Sequence, residues 1–126
     1  MKHSIPPPER RAAGNEFETQ AINYLRNEGL TLITRNYYCR FGEIDLIMKD
    51  QETLVFVEVR YRSSSRLVSP LESITARKKG RIIQTAKHYL HRYSLTEKVC
   101  CRIDFIGIDG GYQPTRVNWV RNAISA

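Results

Sequence analysis

The sequence lacks the features that would take it out of the ordinary globular class. No run approaches the roughly 18 apolar residues that cross a bilayer. The opening residues, MKHSIPPPERRAAG, hold no apolar stretch like the centre of a secretory signal. The expectation is therefore a cytoplasmic protein with no membrane partner. Cysteine is scarce: there are 3, and none form a CxxC pair. An odd count without paired spacing argues against both a disulfide framework and a zinc knuckle. Cys100 and Cys101 are neighbours, and adjacent strand residues face opposite ways, so they are poorly placed to share a ligand. Small strand-filling side chains are the simpler reading of all three, Cys39 included. Internal repeats are also missing.

Negative charge is the other shortage. Against 13 Asp+Glu stand 20 Lys+Arg, a formal net charge of +7 and a pI near 9.6. Such a balance favours polyanion partners through counterion release and long-range steering, without specifying one. The remaining composition is ordinary, with 41% hydrophobic and 26% charged residues. At 126 residues the chain has room for one domain with one modest core. Residues 1–13 carry three consecutive prolines and no apolar period, which reads as a flexible tail before a single domain over 14–126.

Within that domain, Asn15 with Glu18 three residues on has the spacing of a capping box. Phe17, Ala21, Tyr24 and Leu25 then form one helical stripe, and Gly29 marks a stop. Leu30 to Arg35 reads as a strand, and Asn36 to Phe41 as a turn or an irregular continuation. Gly42 to Met48 is a second strand, KDQE over 49–52 a hairpin-length connection, and Thr53 to Tyr61 a strand apolar enough to be central. Arg62 to Arg66 is a polar loop. A long helix follows, starting at Ser69-Pro70-Leu71-Glu72 or at Thr75. Its inward stripe is Ile82, Ala86, Tyr89, Leu90 and Tyr93. Val99 to Ile108 is a further strand, and Val117 to Val120 is a short last strand or the start of a helix. The order predicts an α/β fold, with a mixed sheet flanked by helices.

Two carboxylates interrupt apolar strands: Asp45 in GEIDLIM and Glu58 in VFVEVRY. Charged side chains are rarely buried unless paired or metal-bound. A hairpin turn near residues 50–52 sets Asp45 opposite Glu58 on strands about 4.8 Å apart. Two such charges on one face repel by about 4 kcal/mol at 4 Å and an effective dielectric near 20. A Mg²⁺ or Mn²⁺ ion between them would reverse that sign, and hard oxygen ligands with retained water are the usual setting for Mg²⁺ acting on phosphates. The competing reading pairs Asp45 and Glu58 separately with Arg40, Arg60 or Arg102.

Arg60, two residues beyond Glu58, shares its face. It is either a salt-bridging strand arginine or a cation that stabilises charge growing on a phosphate. Lys78 lies on the inward stripe near a helix N-terminus, where the macrodipole disfavours a cation, so it needs an anionic partner. Glu18 flanks the apolar face of the first helix and is open to both a capping and a site role. Glu43 points to the face opposite Asp45 and reads as a surface residue. Lys79 and Arg81 read as a solvated basic face that could also follow a nucleic-acid backbone, as could Arg62 and Arg66.

Gly14-x-x-x-Glu18, the approach from Asn36 to Gly42, GEIDLI, FVEVRYR and the helix with Lys78 and Gln84-Thr85-Ala86 together resemble the YraN family of bacterial proteins. That family is similar in turn to Holliday-junction resolvases and the restriction-endonuclease-like superfamily. The resemblance covers residues 14 to 121. It implies a restriction-endonuclease-like α/β/α core whose catalytic pattern, an acid followed by Glu-x-Lys, falls on Asp45, Glu58 and Arg60, with Glu18 as the helix-one glutamate. It also implies Mg²⁺ held by the acids. Arg60 departs from the pattern, since an arginine stays protonated and cannot serve as a base; Lys78 could supply the lysine from the helix.

These readings lead to a metal-dependent endonuclease on branched or structured DNA. Catalytic residues would be Glu18, Asp45, Glu58, Arg60 and Lys78, with metal ligands Asp45 and Glu58 and backbone contacts from Arg62, Arg66, Lys79 and Arg81. A two-fold junction would call for a homodimer. The rival is a non-catalytic module, a degenerate nuclease fold that grips nucleic acid or a protein through its basic surface. A small RNA-associated protein is a third reading.

Overall fold

The computed structural model describes residues 8–62, 74–110 and 114–124. Its elements run α1 (Pro8–Asn27), β1 (Thr31–Cys39), β2 (Gly42–Asp50), β3 (Thr53–Arg62), α2 (Ala76–Arg92), β4 (Cys101–Asp109) and β5 (Arg116–Ile124). One five-stranded sheet has the order β1-β2-β3-β4-β5. All neighbours are antiparallel except β3 and β4, which are parallel and joined through α2. That is the mixed sheet expected of the α/β class, and it is consistent with a restriction-endonuclease-like core.

The two helices cover opposite faces. Ala21, Ile22 and Leu25 of α1 pack with Leu46, Met48, Val55, Val57, Ile106 and Ile108. Ile82, Ala86 and Tyr89 of α2 pack with Ile44, Ile47, Phe56 and Ile103. β3 therefore feeds both layers by alternation, with Val55 and Val57 on one side and Phe56 on the other, as its near-continuous apolar run predicts. Fully burying each Leu, Ile or Phe contributes about 1.5–3 kcal/mol, so these two layers carry most of the stabilisation.

Several boundaries differ from the sequence reading. The first helix starts at Pro8 rather than Asn15. Proline suits a first helical position, and Glu9 to Ala13 are good helix formers, so nothing forces a start at the later cap. Of the tail expected over 1–13, residues 8–13 thus belong to α1, and 1–7 lie outside the described residues. β1 continues through the stretch expected as a turn, and β5 is a full strand of 9 residues. Thr75 caps α2, its Oγ1 accepting the Lys78 N–H at 3.2 Å. The alternative start at Ser69 and the loop over 63–66 lie outside the described residues. Tyr93 falls at the C-cap of α2 and is 50% exposed, so it leaves the inward stripe. Cys39 is buried as expected, whereas Cys100 and Cys101 are exposed at the start of β4.

Candidate metal centre and basic groove

β1 and β2 turn over in the middle. Leu32 and Met48 pair and face α1, as does Leu46, whereas Tyr37 and Ile44 pair and face α2. Strict alternation would keep Ile44 with Leu46. The slip falls between them, at Asn36 and Asp45. Asn36 takes a left-handed conformation, φ 56°, which asparagine tolerates better than most residues. The β1–β2 turn is Arg40–Phe41, closed by Gly42 at φ 146°, a value that favours glycine.

β2 and β3 share a two-residue turn, with Asp50 opposite Thr53 and Leu46 opposite Val57. That register carries Asp45 to the level of Glu58, as the hairpin spacing predicts. Regular pairing ends at Leu46, however. Beyond it, Asp45 Oδ2 accepts the Val59 N–H at 2.8 Å, so a carboxylate replaces the ladder. The two strands part here and hold a pair of carboxyl groups between them.

Glu58 is only 6% exposed. It hydrogen-bonds to Asp45, and burial together with the Asp45 charge pushes its pKa up to about 8. Asp45 is raised too, chiefly by burial, against the pull of the Val59 N–H, the Glu58 hydrogen bond, Arg60 and Lys78. Near neutral pH the pair therefore shares a proton. Arg60 Nη2 lies 3.5 Å and Lys78 Nζ 3.8 Å from Glu58 Oε2. Lys78 thus has the anionic partner its position demanded, and Arg60 lies on the Glu58 face. The Arg60 Nε–H is buried without a hydrogen-bond acceptor, an orphaned donor beside the carboxyl pair.

Glu18, 5% exposed, reaches the same region from α1. With the helix starting at Pro8 it is an interior residue, so capping does not explain it. It accepts from Arg35 Nη2 at 3.4 Å. Burial and the Asp45 charge raise its pKa, while hydrogen bonds from Asn36 and Arg35 lower it. Among the described residues, no group of three or more His, Cys, Asp and Glu is placed to hold a metal. The chain's own ligands for a divalent ion would be Asp45 and Glu58. A hard ion held by these two oxygen ligands would keep most of its water, and it would have to displace the shared proton beside the two cations on Glu58 Oε2.

The separate-pairing alternative divides. Arg60 does pair with Glu58. Arg102 instead bridges Asp50 at 3.0 Å and Asp104 at 3.0 Å, and Arg40 lies over the Phe41 ring at 4.8 Å.

Glu58 opens into a groove of about 640 Å³ between the β1–β2 turn and α2. Tyr38, Arg40, Phe41 and Glu43 line one side, and Thr75, Arg77, Lys78 and Arg81 the other. Of the residues expected to contact nucleic acid, Arg81 lines the groove, and Lys79 is exposed on the same helix but outside the lining. The backbone of Arg62 ends β3, and Arg66 lies outside the described residues. Sequence reasoning missed Asn36, Arg77 and the Arg40–Phe41 pair as site residues. Their signals were faint: an asparagine within a β-rich run, and a basic-aromatic step ahead of a glycine.

The family model for "Uncharacterised protein family UPF0102" matches residues 17–108. A UPF0102 protein of Psychromonas ingrahamii is 54% identical over 106 residues, 84% of each chain. One from Nitrosococcus oceani is 44% identical over 119 residues, covering 94% of this chain and 96% of its own. One from Legionella pneumophila is 45% identical over 113 residues, 90% of this chain and 94% of its own. The matched span contains both strands of the carboxyl pair and all of α2, and by this measure the chain belongs to the UPF0102 family, the YraN-like family its motifs resemble.

Proposed function

We propose that the protein is a metal-dependent endonuclease that hydrolyses phosphodiester bonds in branched or otherwise structured DNA. The observation that carries this reading is the Asp45–Glu58 pair, with Glu58 buried and Asp45 half-buried, sharing a proton, flanked by Arg60 and Lys78 and opening through Glu58 into a basic groove. Asp45 and Glu58 would hold Mg²⁺ or Mn²⁺, which supplies a water of lowered pKa and neutralises phosphate charge. The chain's own groups do the rest. Arg60, with its unsatisfied Nε–H, accepts charge developing on a phosphate oxygen. Lys78, already held against Glu58, adds positive charge beside the attacking water and stabilises the transition state with Arg60. Glu18 keeps that water on the Asp45 side. Arg81 in the groove, together with Lys79, Arg62 and Arg66, would follow the nucleic-acid backbone. A junction with two-fold related strands would be served by a homodimer, one site on each strand.

A second reading has its own support. Both cations already engage Glu58, and an arginine stands where the nuclease pattern has lysine. A module that binds nucleic acid or a protein without cleaving would tolerate that arrangement. A cleavage assay on four-way junction, flap, single-stranded and duplex DNA, with and without Mn²⁺, separates the two. The endonuclease reading expects Mn²⁺-dependent cleavage of a structured substrate, lost by at least about 10³-fold in Asp45→Asn with binding retained. Cleavage that persists in Asp45→Asn would refute it. Absence of cleavage, with Mn²⁺ binding unchanged in Glu58→Gln, would leave the binding module.

A further inference from the structure

Four cations line the groove, Arg40, Arg77, Lys78 and Arg81, against two carboxyl groups, Glu43 and Glu58. Lys78 is committed to Glu58, but Arg40, Arg77 and Arg81 are exposed and lie on both walls. Positive charge on two facing walls suits a polyanion lying between them rather than one resting across a flat surface.

Size and chemistry narrow the polyanion. About 640 Å³ is the volume of a small-ligand cleft, enough for a nucleotide or two. A duplex, whose major groove alone is about 12 Å wide, does not fit inside it. The wall formed by the β1–β2 turn is also aromatic. Phe41 and Tyr38 are half-buried there, and the Arg40 guanidinium lies over the Phe41 ring at 4.8 Å. Aromatic rings and stacked guanidinium planes are what unpaired bases rest on, and a paired base offers neither face.

We propose that the groove between the β1–β2 turn and α2 seats an unpaired DNA strand, its phosphates held by Arg40, Arg77 and Arg81 and a base stacked on the Arg40–Phe41 pair. The inference rests on the endonuclease reading for the reaction at Glu58, since the strand would pass directly beside that carboxyl. It narrows the substrate class: the scissile strand is delivered flayed, from a flap, a fork or an opened junction arm.

The test is fluorescence anisotropy of the full chain with labelled oligo-dT of 12 nucleotides and with a blunt duplex of 12 base pairs. It is run in EDTA over a salt series, so no cleavage is involved. Wild type is expected to prefer oligo-dT. The double variant Arg77→Ala/Arg81→Ala should flatten the salt slope on oligo-dT by about 1.4, at about 0.7 per lost phosphate contact. Phe41→Leu should weaken oligo-dT binding about tenfold and spare the duplex, and Phe41→Trp should restore it. Lys79→Ala, outside the groove, should lower both ligands by one small common factor. Equal or tighter binding of the duplex by wild type would overturn the proposal, as would an unchanged slope in the double variant. Arg77 and Arg81 are exposed, so that variant keeps the test valid if Phe41→Leu unfolds. Groove binding without any metal-dependent cleavage would sink the endonuclease reading alone; cleavage with groove variants indistinguishable from wild type would sink this one alone.

Discussion

At the carboxyl pair, Glu58 keeps its proton up to about pH 8 because burial and the neighbouring Asp45 both disfavour a second charge. A metal ion must displace that proton. Below about pH 8 the apparent Mn²⁺ affinity should therefore rise close to tenfold per pH unit, and above it level off. Calorimetry in buffers of different ionisation enthalpy checks both the slope and the single proton released; a flat profile from pH 6 to 8 would remove Glu58 from the ligand set. The same shift sets the sign for folding. The native pKa lies above the ordinary carboxylate value of 4.5, so Glu58 favours the native state most at low pH, and that contribution fades as pH rises from about 4.5 to about 8. Asp45 and Glu58 were legible as single letters because a charge inside an apolar strand is an anomaly that demands a partner. Arg77 and Arg40 were not legible in this way. An exposed arginine satisfies every local rule, and only the closing of the β1–β2 turn against α2 gives it a role.

The hairpin β2–β3 follows from sequence spacing: two apolar runs around a polar connection fix its register, and with it the level of Asp45 and Glu58. The course of β1 does not. Its turn-over rests on a left-handed Asn36 whose side chain bonds Glu18 of α1, a tertiary contact with no local signature. β5 hides its origin in the same way. Residues 116–124 show neither a helical nor a strand period, yet they form a strand because Asp104 of β4 binds them. Asp104 is fully buried and accepts from Trp119 Nε1 at 2.9 Å, from the Asn122 N–H at 2.8 Å and from Arg102 Nε at 3.0 Å. Asn122, again left-handed, offsets the register where the β4–β5 pairing shifts between Ile103 and Phe105. Replacing Asp104 with Ala would strand three donors, Arg102 among them. The expected cost is about 3–5 kcal/mol in urea denaturation, with hydrogen exchange accelerating first in β5. A loss under about 1 kcal/mol would mean that β5 is held by its apolar contacts alone. Because Asp104 lies away from the groove lining, metal binding should survive in whatever fraction of the variant folds.

For the molecule as a whole, the carboxyl pair costs stability that Arg60 and Lys78 offset only in part, since both pair with Glu58 rather than Asp45. A domain of this size is stabilised by only about 5–15 kcal/mol, and two acids facing each other where β2 leaves β3, one buried and one half-buried, subtract from it. The binding reading and the fold then make opposite demands on Asp45. In Asp45→Asn the amide oxygen can still accept the Val59 N–H, while the repulsion and the desolvated charge are gone. The variant should therefore melt at or above the wild-type temperature in EDTA. With Mn²⁺ the order should invert. A ligand at 100 times its Kd adds about 2.7 kcal/mol to the native state, about 10 °C in Tm for a chain this long, and only wild type can collect it. Arg35→Ala, which removes the Glu18 partner on the α1 side, should lower Tm equally in EDTA and in Mn²⁺, which separates loss of fold from loss of ligand. A wild-type Tm indifferent to Mn²⁺, or a rise shared by Asp45→Asn, would mean that the parted strands hold no metal. The two acids would then be explained by the ion pairs from Arg60 and Lys78.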